Sequence, residues 1–418
     1  MPLDRRSPLP ARFTRVAWSS MLVQFAEQIA LVAAPLAAVL LLGAGATETA
    51  LLQVAHTLPF LLLSIPVGLI VDRASLRSVL LASEALRTLT LACIVVLILT
   101  DWLTFEALLI VGFVGAIGTL GVGVAIPSAV PHLVPRDRLT DANAGLELGR
   151  SIAFISGPAV AGMIVAVAGV ETAFVVGTVA CGAAVALLTR IDIARTPPTS
   201  SRNAWGEIAD GVRYVLSHAL LRPMVVTSMI FNCGWFLVQS IFVVHALRNL
   251  AMTPATVGIA MGVFGLGMVF GALAAKPLLK RITLGRMSVF GPVGGFVAAG
   301  LMVMTLWMPT AVLALVSLFL FGLGPVLWSI STTSLRQAVT PSRMIGRVSS
   351  LLVVSTYGAR PIGAGLGALI AAAFGMEWCI AVAAVLFAAQ LAVVLASQLP
   401  AVRELPVSDE EQSPAHAP

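Results

Sequence analysis

Glu27 lies eleven residues into an apolar segment that opens near residue 16 (27 − 16 = 11). Arg360 lies fourteen residues into one that opens near residue 346 (360 − 346 = 14). At about 1.5 Å per helical residue, Glu27 is roughly 16 Å from the start of its segment. An ionisable group that deep in hydrocarbon is costly, so it faces a cavity or a partner, and a carboxyl there suits a proton carrier. Gln24 and Gln28, within one turn, extend the polar patch, and Gln24 shares the Glu27 face most closely. The plainer alternative is a hydrogen-bonded structural cluster. Arg360 requires a carboxylate, water or an anionic substrate; Glu27 is one candidate partner. Glu84 and Arg87, and likewise Glu147 and Arg150, stand three residues apart and can pair along one helix face. These side chains are the candidates for coupling, and for the two couples a structural ion pair is the simpler role.

Contacts to a small-molecule substrate are expected from Asn232, Trp235 and Gln239 in the seventh apolar segment, Trp328 in the tenth and Tyr357 in the eleventh. Polar amides and aromatic rings around a cavity suit a bulky amphipathic ligand. Taken singly, each is equally explained by helix packing or an interfacial aromatic belt. His56 and His245 read as isolated, satisfied or interfacial histidines. Cys93, Cys181, Cys233 and Cys379 lie in apolar runs without metal-type spacing and read as small buried hydrophobes. GxxxxGK[ST], HExxH and GxSxG are missing. The reading is therefore non-enzymatic, with no catalytic residue, no metal site and no cofactor, and without direct use of ATP.

The elements that must position these residues are membrane helices. The chain is 59% hydrophobic and 11% charged, with mean hydropathy +1.00, against about 25% charge in soluble domains. In lipid, backbone polar groups must be satisfied inside a helix or a closed barrel. The apolar runs are unbroken rather than alternating, so helices are expected. The net charge of +6 does not indicate nucleic acid, because the basic residues are scattered through short gaps rather than gathered on a face.

Twelve segments are expected, at 16–42, 50–71, 78–100, 105–130, 142–168, 170–190, 223–246, 255–279, 286–306, 310–334, 346–373 and 376–398. One set of gaps holds Arg73, Arg77, Arg136, Arg138, Arg190, Arg202, Lys276, Lys280, Arg336 and Arg343. The alternate gaps hold Glu48, Asp101, Glu106, Glu171 and Glu377, with Arg248 the only cation. Basic loops stay inside, so both termini are expected in the cytoplasm of a multi-pass protein of the cell membrane. The expected organisation is a cytoplasmic N-terminus over 1–15, a six-helix bundle over 16–190, a linker over 191–222, a second six-helix bundle over 223–398 and a disordered tail over 399–418. Within the linker, Trp205, Ile208, Val212, Val215 and Ala219 fall at helical spacing, which predicts an amphipathic surface helix over 203–221.

The halves echo each other. Gly68–Arg77 (GLIVDRASLR) has a degenerate counterpart in Gly271–Lys280 (GALAAKPLLK), and 271 − 68 = 203. Gly157–Gly162 (GPAVAG) matches Arg360–Gly365 (RPIGAG) at the same offset, 361 − 158 = 203. Two six-helix halves with parallel repeats are a transporter plan, so the expected class is an all-α membrane protein with twelve transmembrane helices in two six-helix pseudo-repeats.

Gly68, Asp72, Arg73 and Arg77 resemble the loop 2–3 signature of the major facilitator superfamily, with Ser75 where that signature prefers glycine and Leu76 where it prefers a cation. Longer stretches resemble its twelve-span drug, macrolide and siderophore exporters. These are Leu58-Pro59 with Pro66-Val67-Gly68, Ser83–Arg87, Val134-Pro135 with Asp141–Ala144 and Gly157–Gly162, and Gly211–Tyr214 before Arg222. The resemblance implies the major facilitator fold. It also implies a gate latch at Gly68, Asp72, Arg73 and Arg77, in which a carboxylate holds helix N-termini and arginines of the opposing half. Proton-coupled exporters of a sister subgroup carry an arginine in the fourth span; segment 105–130 has none.

Together these features predict a monomeric secondary active transporter. It exports amphipathic small molecules by alternating access, with proton antiport, and its partners are substrate, protons and the lipid bilayer. An importer or lipid flippase on the same fold is the alternative, and a non-transporting membrane sensor or enzyme the remote one.

Overall fold

The structure, a computed structural model, describes residues 9–135, 138–189, 212–340 and 345–403. Among the described residues there is no strand, and there are twelve long α-helices. They are α1 (Ala11–Leu42), α2 (Ala46–Arg73), α3 (Leu76–Leu99), α4 (Phe105–Leu133), α5 (Leu139–Ala168) and α6 (Val170–Thr189), then α7 (Leu221–Val244), α8 (Pro254–Leu279), α9 (Leu284–Met304), α10 (Ala311–Val339), α11 (Ile345–Phe374) and α12 (Met376–Leu395). A π-helical turn, His245–Asn249, extends α7. Each expected segment coincides with one helix. Ten of the helices are long and apolar enough to cross a bilayer. The other two, α2 and α11, are 28 and 30 residues long, and each includes side chains outside the described set.

The pattern of exposure is that of a chain solvated by lipid. Leu89, Val167 and Leu369 are 67%, 79% and 69% exposed, a disposition that would be an aggregation surface in water. Small residues are prominent in the interior: Ala26, Ala33 and Ala37 of α1 and Ala116, Ala125 and Ala129 of α4 are buried. Without a hydrophobic drive between helices in lipid, small residues let backbones approach and gain packing. Cys181 and Cys379 are buried as expected, but Cys93 is exposed on the outer face of α3.

Four acids of the alternate, acid-bearing gaps have a local job. Glu48, Glu106, Glu171 and Glu377 each occupy the first turn of a helix, α2, α4, α6 and α12. A carboxylate there opposes the positive end of the helix dipole, and Glu48 Oε2 accepts the Gly45 amide at 2.8 Å.

The chain forms two compact units, Met1–Ser200 with Met252–Gly262, and Ser201–Ala251 with Val263–Pro418. In the first, α1 packs on α5 and α6, and α3 on α4 and α6. In the second, α7 packs on α11 and α12, and α9 on α10 and α12. These four pairings are therefore repeated between the units. The structural register differs from the offset of 203 seen in the motifs. Helices α4 and α10 begin 206 residues apart and end 206 apart (311 − 105 and 339 − 133), as do α5 and α11 (345 − 139 and 374 − 168). Capping sets the register of the two short loops. The Ser75 hydroxyl accepts from Ser78 N at 3.1 Å and opens α3; the Thr283 hydroxyl accepts from Arg286 N at 3.3 Å and opens α9. Arg77 and Lys280 are therefore not structural counterparts.

Two further expectations change. Of the amphipathic helix over 203–221, residues up to 211 lie outside the described set, and 212–217 are helical. Val215 is fully buried, and Tyr214 Oη donates to Val339 O at 3.1 Å. This end is packed into the second unit beside Leu335 and Val348, while Ala219, expected on the apolar stripe, is exposed. The disordered tail was expected from residue 399, yet Leu399–Ala401 forms a 3-10 turn, Leu399 is buried and Gly285 N donates to Val402 O at 3.2 Å. Apolar Leu399 and Val402 extend the core, and Gly285 makes room: a Cβ there would stand 2.4 Å from Leu399 O.

Candidate functional site

Four helices of the first unit converge on one carboxylate. Glu27 on α1 accepts Arg87 Nη2 of α3 on Oε2 at 2.6 Å and the Thr119 hydroxyl of α4 on the same oxygen at 2.9 Å. His56 Nε2 of α2 lies 2.9 Å from Glu27 Oε1. The side chains of Glu27 and Arg87 are 13% and 5% exposed. Charge-assisted bonds of this kind are shorter and stronger than neutral ones, and removing one partner of a buried pair strands the other. Arg87 also reaches Val23 O at 3.4 Å, which ties its guanidinium to the α1 backbone.

Glycines fix the height of Arg87. Along α4, Gly115, Gly118 and Gly121 face Thr90, Arg87 and Ser83 of α3. A Cβ at Gly118 would stand 2.6 Å from Arg87 Cγ and 2.7 Å from Ser83 O; one at Gly121 would stand 2.2 Å from Ser83 Oγ. The antiparallel helices approach closely enough that the Arg87 stem lies against bare backbone. Sequence reasoning singled out Glu27 and Arg87 but paired them differently, with Arg360 and Glu84. It missed Thr119 and took His56 for isolated.

The remaining candidates are distributed as follows. Glu84 is 1% exposed, and its Oε2 is buried with no hydrogen-bond partner among the described residues. The Glu84–Arg87 pairing is therefore replaced by an inter-helix pair, because the Arg87 side chain reaches across to α1. Glu147 and Arg150 do pair with each other, at 3.2 Å on an exposed face, with Arg150 above the Phe154 ring at 5.8 Å. Gln28 is buried against α5, where a Cβ at Gly157 would stand 2.6 Å from Gln28 Cβ; Gln24 is half-buried. In the expected latch, the side chains of Asp72 and Arg73 lie outside the described residues. Gly68 faces open space. Arg77 Nη2 donates to Thr189 O, the last residue of α6, at 2.8 Å, a cation on a helix C-terminus within its own unit.

The second unit contains a cavity of about 350 Å³. Asn232, Trp328, Tyr357 and Arg360, all singled out from sequence, line it together with Ser228, Phe231, Thr332, Thr356, Gln390 and Arg336. The Arg360 guanidinium stacks over the Tyr357 ring at 4.2 Å and the Phe236 ring at 5.1 Å, so aromatic faces hold its charge. Asn232 Nδ2 donates to Ser228 O, and the Ser228 and Thr356 hydroxyls lie 3.1 Å apart. Trp235 does not line the cavity. It is buried, stacked on Phe264 at 4.6 Å and tilted against Phe321 at 5.2 Å, because a large flat ring gains most from an aromatic core. Gln239 is likewise outside the lining. His245, fully within the core, meets the Thr305 hydroxyl at 2.8 Å.

An all-helical membrane chain with a buried ion pair and a ligand-sized cavity has the make-up of a membrane transporter, and the fold is that of the major facilitator superfamily. It is similar to the nucleoside transporter NupG (TM-score 0.72, 12% identity, 92% of this chain and 98% of that one). It is also similar to a bacterial homologue of the iron transporter ferroportin in its inward-facing state (TM-score 0.74, 16% identity, 92% and 98%). The chain belongs to the transmembrane secretion effector family, whose sequence profile matches residues 5–417. Among curated relatives, it is 26% identical over 264 residues to the enterobactin exporter EntS of Salmonella typhimurium and 27% identical to that of Escherichia coli O127:H6. The matched stretch spans 61% of this chain and 61% of the length of those relatives.

Proposed function

We propose that this transporter is a secondary active exporter of amphipathic small molecules, such as drug-like compounds, macrolides or siderophores. It works as a monomer with twelve spans and both termini in the cytoplasm, by alternating access between two six-helix halves, with protons moving the opposite way. Likeness to exporters of enterobactin supports the outward direction. The observation that carries the coupling step is the Glu27 carboxylate, held by Arg87, Thr119 and His56 from three other helices. A proton arriving on Glu27 cancels its attraction for Arg87 and frees four helices from a shared point. Glu27 is the favoured carrier. Gly68, Asp72 and Arg73, in the last turns of α2, serve as the gate latch, while Arg77 fastens the start of α3 to α6.

Everted vesicles and a substrate panel test this. Energised uptake should collapse on addition of an uncoupler, and Glu27→Gln should abolish proton-driven uptake. Proton-driven uptake by Glu27→Gln at the native rate would remove Glu27 as the carrier. Uptake indifferent to the uncoupler would remove proton antiport.

A further inference from the structure

The cavity of the second unit carries a charge imbalance that the coupling step does not use. Among the described residues, the charged ones lining it are Arg336, near the end of α10, and Arg360, midway along α11, and none is Asp or Glu. The rest of the wall supplies aromatic faces, Phe231, Trp328 and Tyr357, and hydroxyls from Ser228, Thr332 and Thr356. Arg336 Nε is buried with no hydrogen-bond partner among the described residues, although buried donors are almost always matched. A guanidinium presents several donors in a fixed planar fork that fits an oxyanion.

We propose that this cavity binds an aromatic acid, with its anionic group toward Arg336 and Arg360 and its ring among Phe231, Trp328 and Tyr357. The reading rests on the export function above and narrows its cargo to amphipathic anions. Two cations, with no acid among the described lining residues, select against basic amphiphiles, since a like charge brought into a low-dielectric pocket is repelled. Three aromatic walls favour a ring over a bare inorganic anion. The volume, about 350 Å³, falls in the lower part of the roughly 300–1,000 Å³ range of ligand pockets.

The test is equilibrium binding to the purified full chain in nanodiscs, using three probes of one shape: radiolabelled 1-naphthoate, 1-naphthamide and 1-naphthylmethylamine. The acid should bind about tenfold or more tightly than the amide, as expected when a charge-assisted bond replaces a neutral one, and the amine should bind weakest. Arg360→Gln and Arg336→Gln should each lower naphthoate affinity by about tenfold, with Arg360→Lys intermediate. The comparison among the probes on the unmodified chain stands even where a variant fails to fold. Equal binding of acid and amide, preference for the amine, or binding of none of the three would overturn the proposal. So would displacement of naphthoate by inorganic phosphate at equal concentration, which would mark a plain anion site. Loss of naphthoate binding as phosphatidylglycerol is raised in the nanodisc would mark a lipid-headgroup site and overturn it equally. Export is separable: native binding without transport in vesicles would sink the export reading alone, and transport without acid preference would sink the cavity assignment alone.

Discussion

Arg87 and Glu27 meet at 2.6 Å, with α3 supplying the guanidinium and α1 the carboxylate. Neither side chain finds its partner on its own helix. The pair is also the centre of a network, since Thr119 and His56 reach the same carboxylate from α4 and α2. A bond so placed ties the first four helices of the chain to a single atom group.

Removing either partner should therefore cost stability as well as transport. Glu27→Gln and Arg87→Gln are each expected to destabilise the chain by roughly 3–5 kcal/mol, the cost of stranding a buried charge. The double variant should lose much less than the sum, because the two residues are in contact. Thermal unfolding of the four proteins in one detergent measures the coupling, and strict additivity would show that the pair contributes nothing as a pair.

Close helix approach makes a second expectation specific to one glycine. Gly118→Ala inserts a methyl 2.6 Å from Arg87 Cγ and should destabilise by about 1–3 kcal/mol, as overpacking does. Gly123→Ala, five residues along the same helix, meets nothing within 4 Å and should leave stability and efflux unchanged. The comparison of unfolding temperatures checks the groove directly.

Arg77 is fastened to the last carbonyl of α6. Arg77→Gln should lower stability by about 0.3–1 kcal/mol, and the loss should shrink as salt is raised. Unfolding midpoints of both proteins at low and high ionic strength decide it; a loss that does not vary with salt would count against the dipole account.

Tyr214 joins the stretch before α7 to the end of α10 through its hydroxyl. Tyr214→Phe keeps the ring and removes one bond, for an expected loss of about 0.5–1.5 kcal/mol. Limited proteolysis should then cut within 191–222 faster than in the parent chain, and an unchanged cleavage rate would show that the bond does not secure this stretch.

Every long helix was legible in the sequence, because lipid demands unbroken apolar runs and the runs were unbroken. The site was half legible. Glu27 announced itself as a carboxyl among apolar neighbours, but its partner was sought by spacing along a helix, which reveals only local pairs. Depth held the missing clue. Arg87 stands nine residues into its segment and Glu27 eleven (87 − 78 and 27 − 16), so the two share a level if both segments enter from the same side. Trp235 failed for another reason: a ring beside polar neighbours can turn to either wall, and only the positions of Phe264 and Phe321 decide which. Leu399 was assigned to a tail because its neighbours are polar and proline-rich, and burial of a single leucine has no periodicity to read.

The three glycines of α4 also act as a keyway. Ser83, Arg87 and Thr90 sit in it like teeth at successive turns, opposite Gly121, Gly118 and Gly115. Neither helix can ratchet along the other while the teeth are seated, because each step would drive a side chain across a backbone ridge. The two helices therefore travel as one bar, and the height of Arg87 against Thr119 is preserved through any stroke. Whatever joint lets this unit flex must lie outside that bar, and the contacts of Glu27 with α2, α3 and α4 are among those left to open and close.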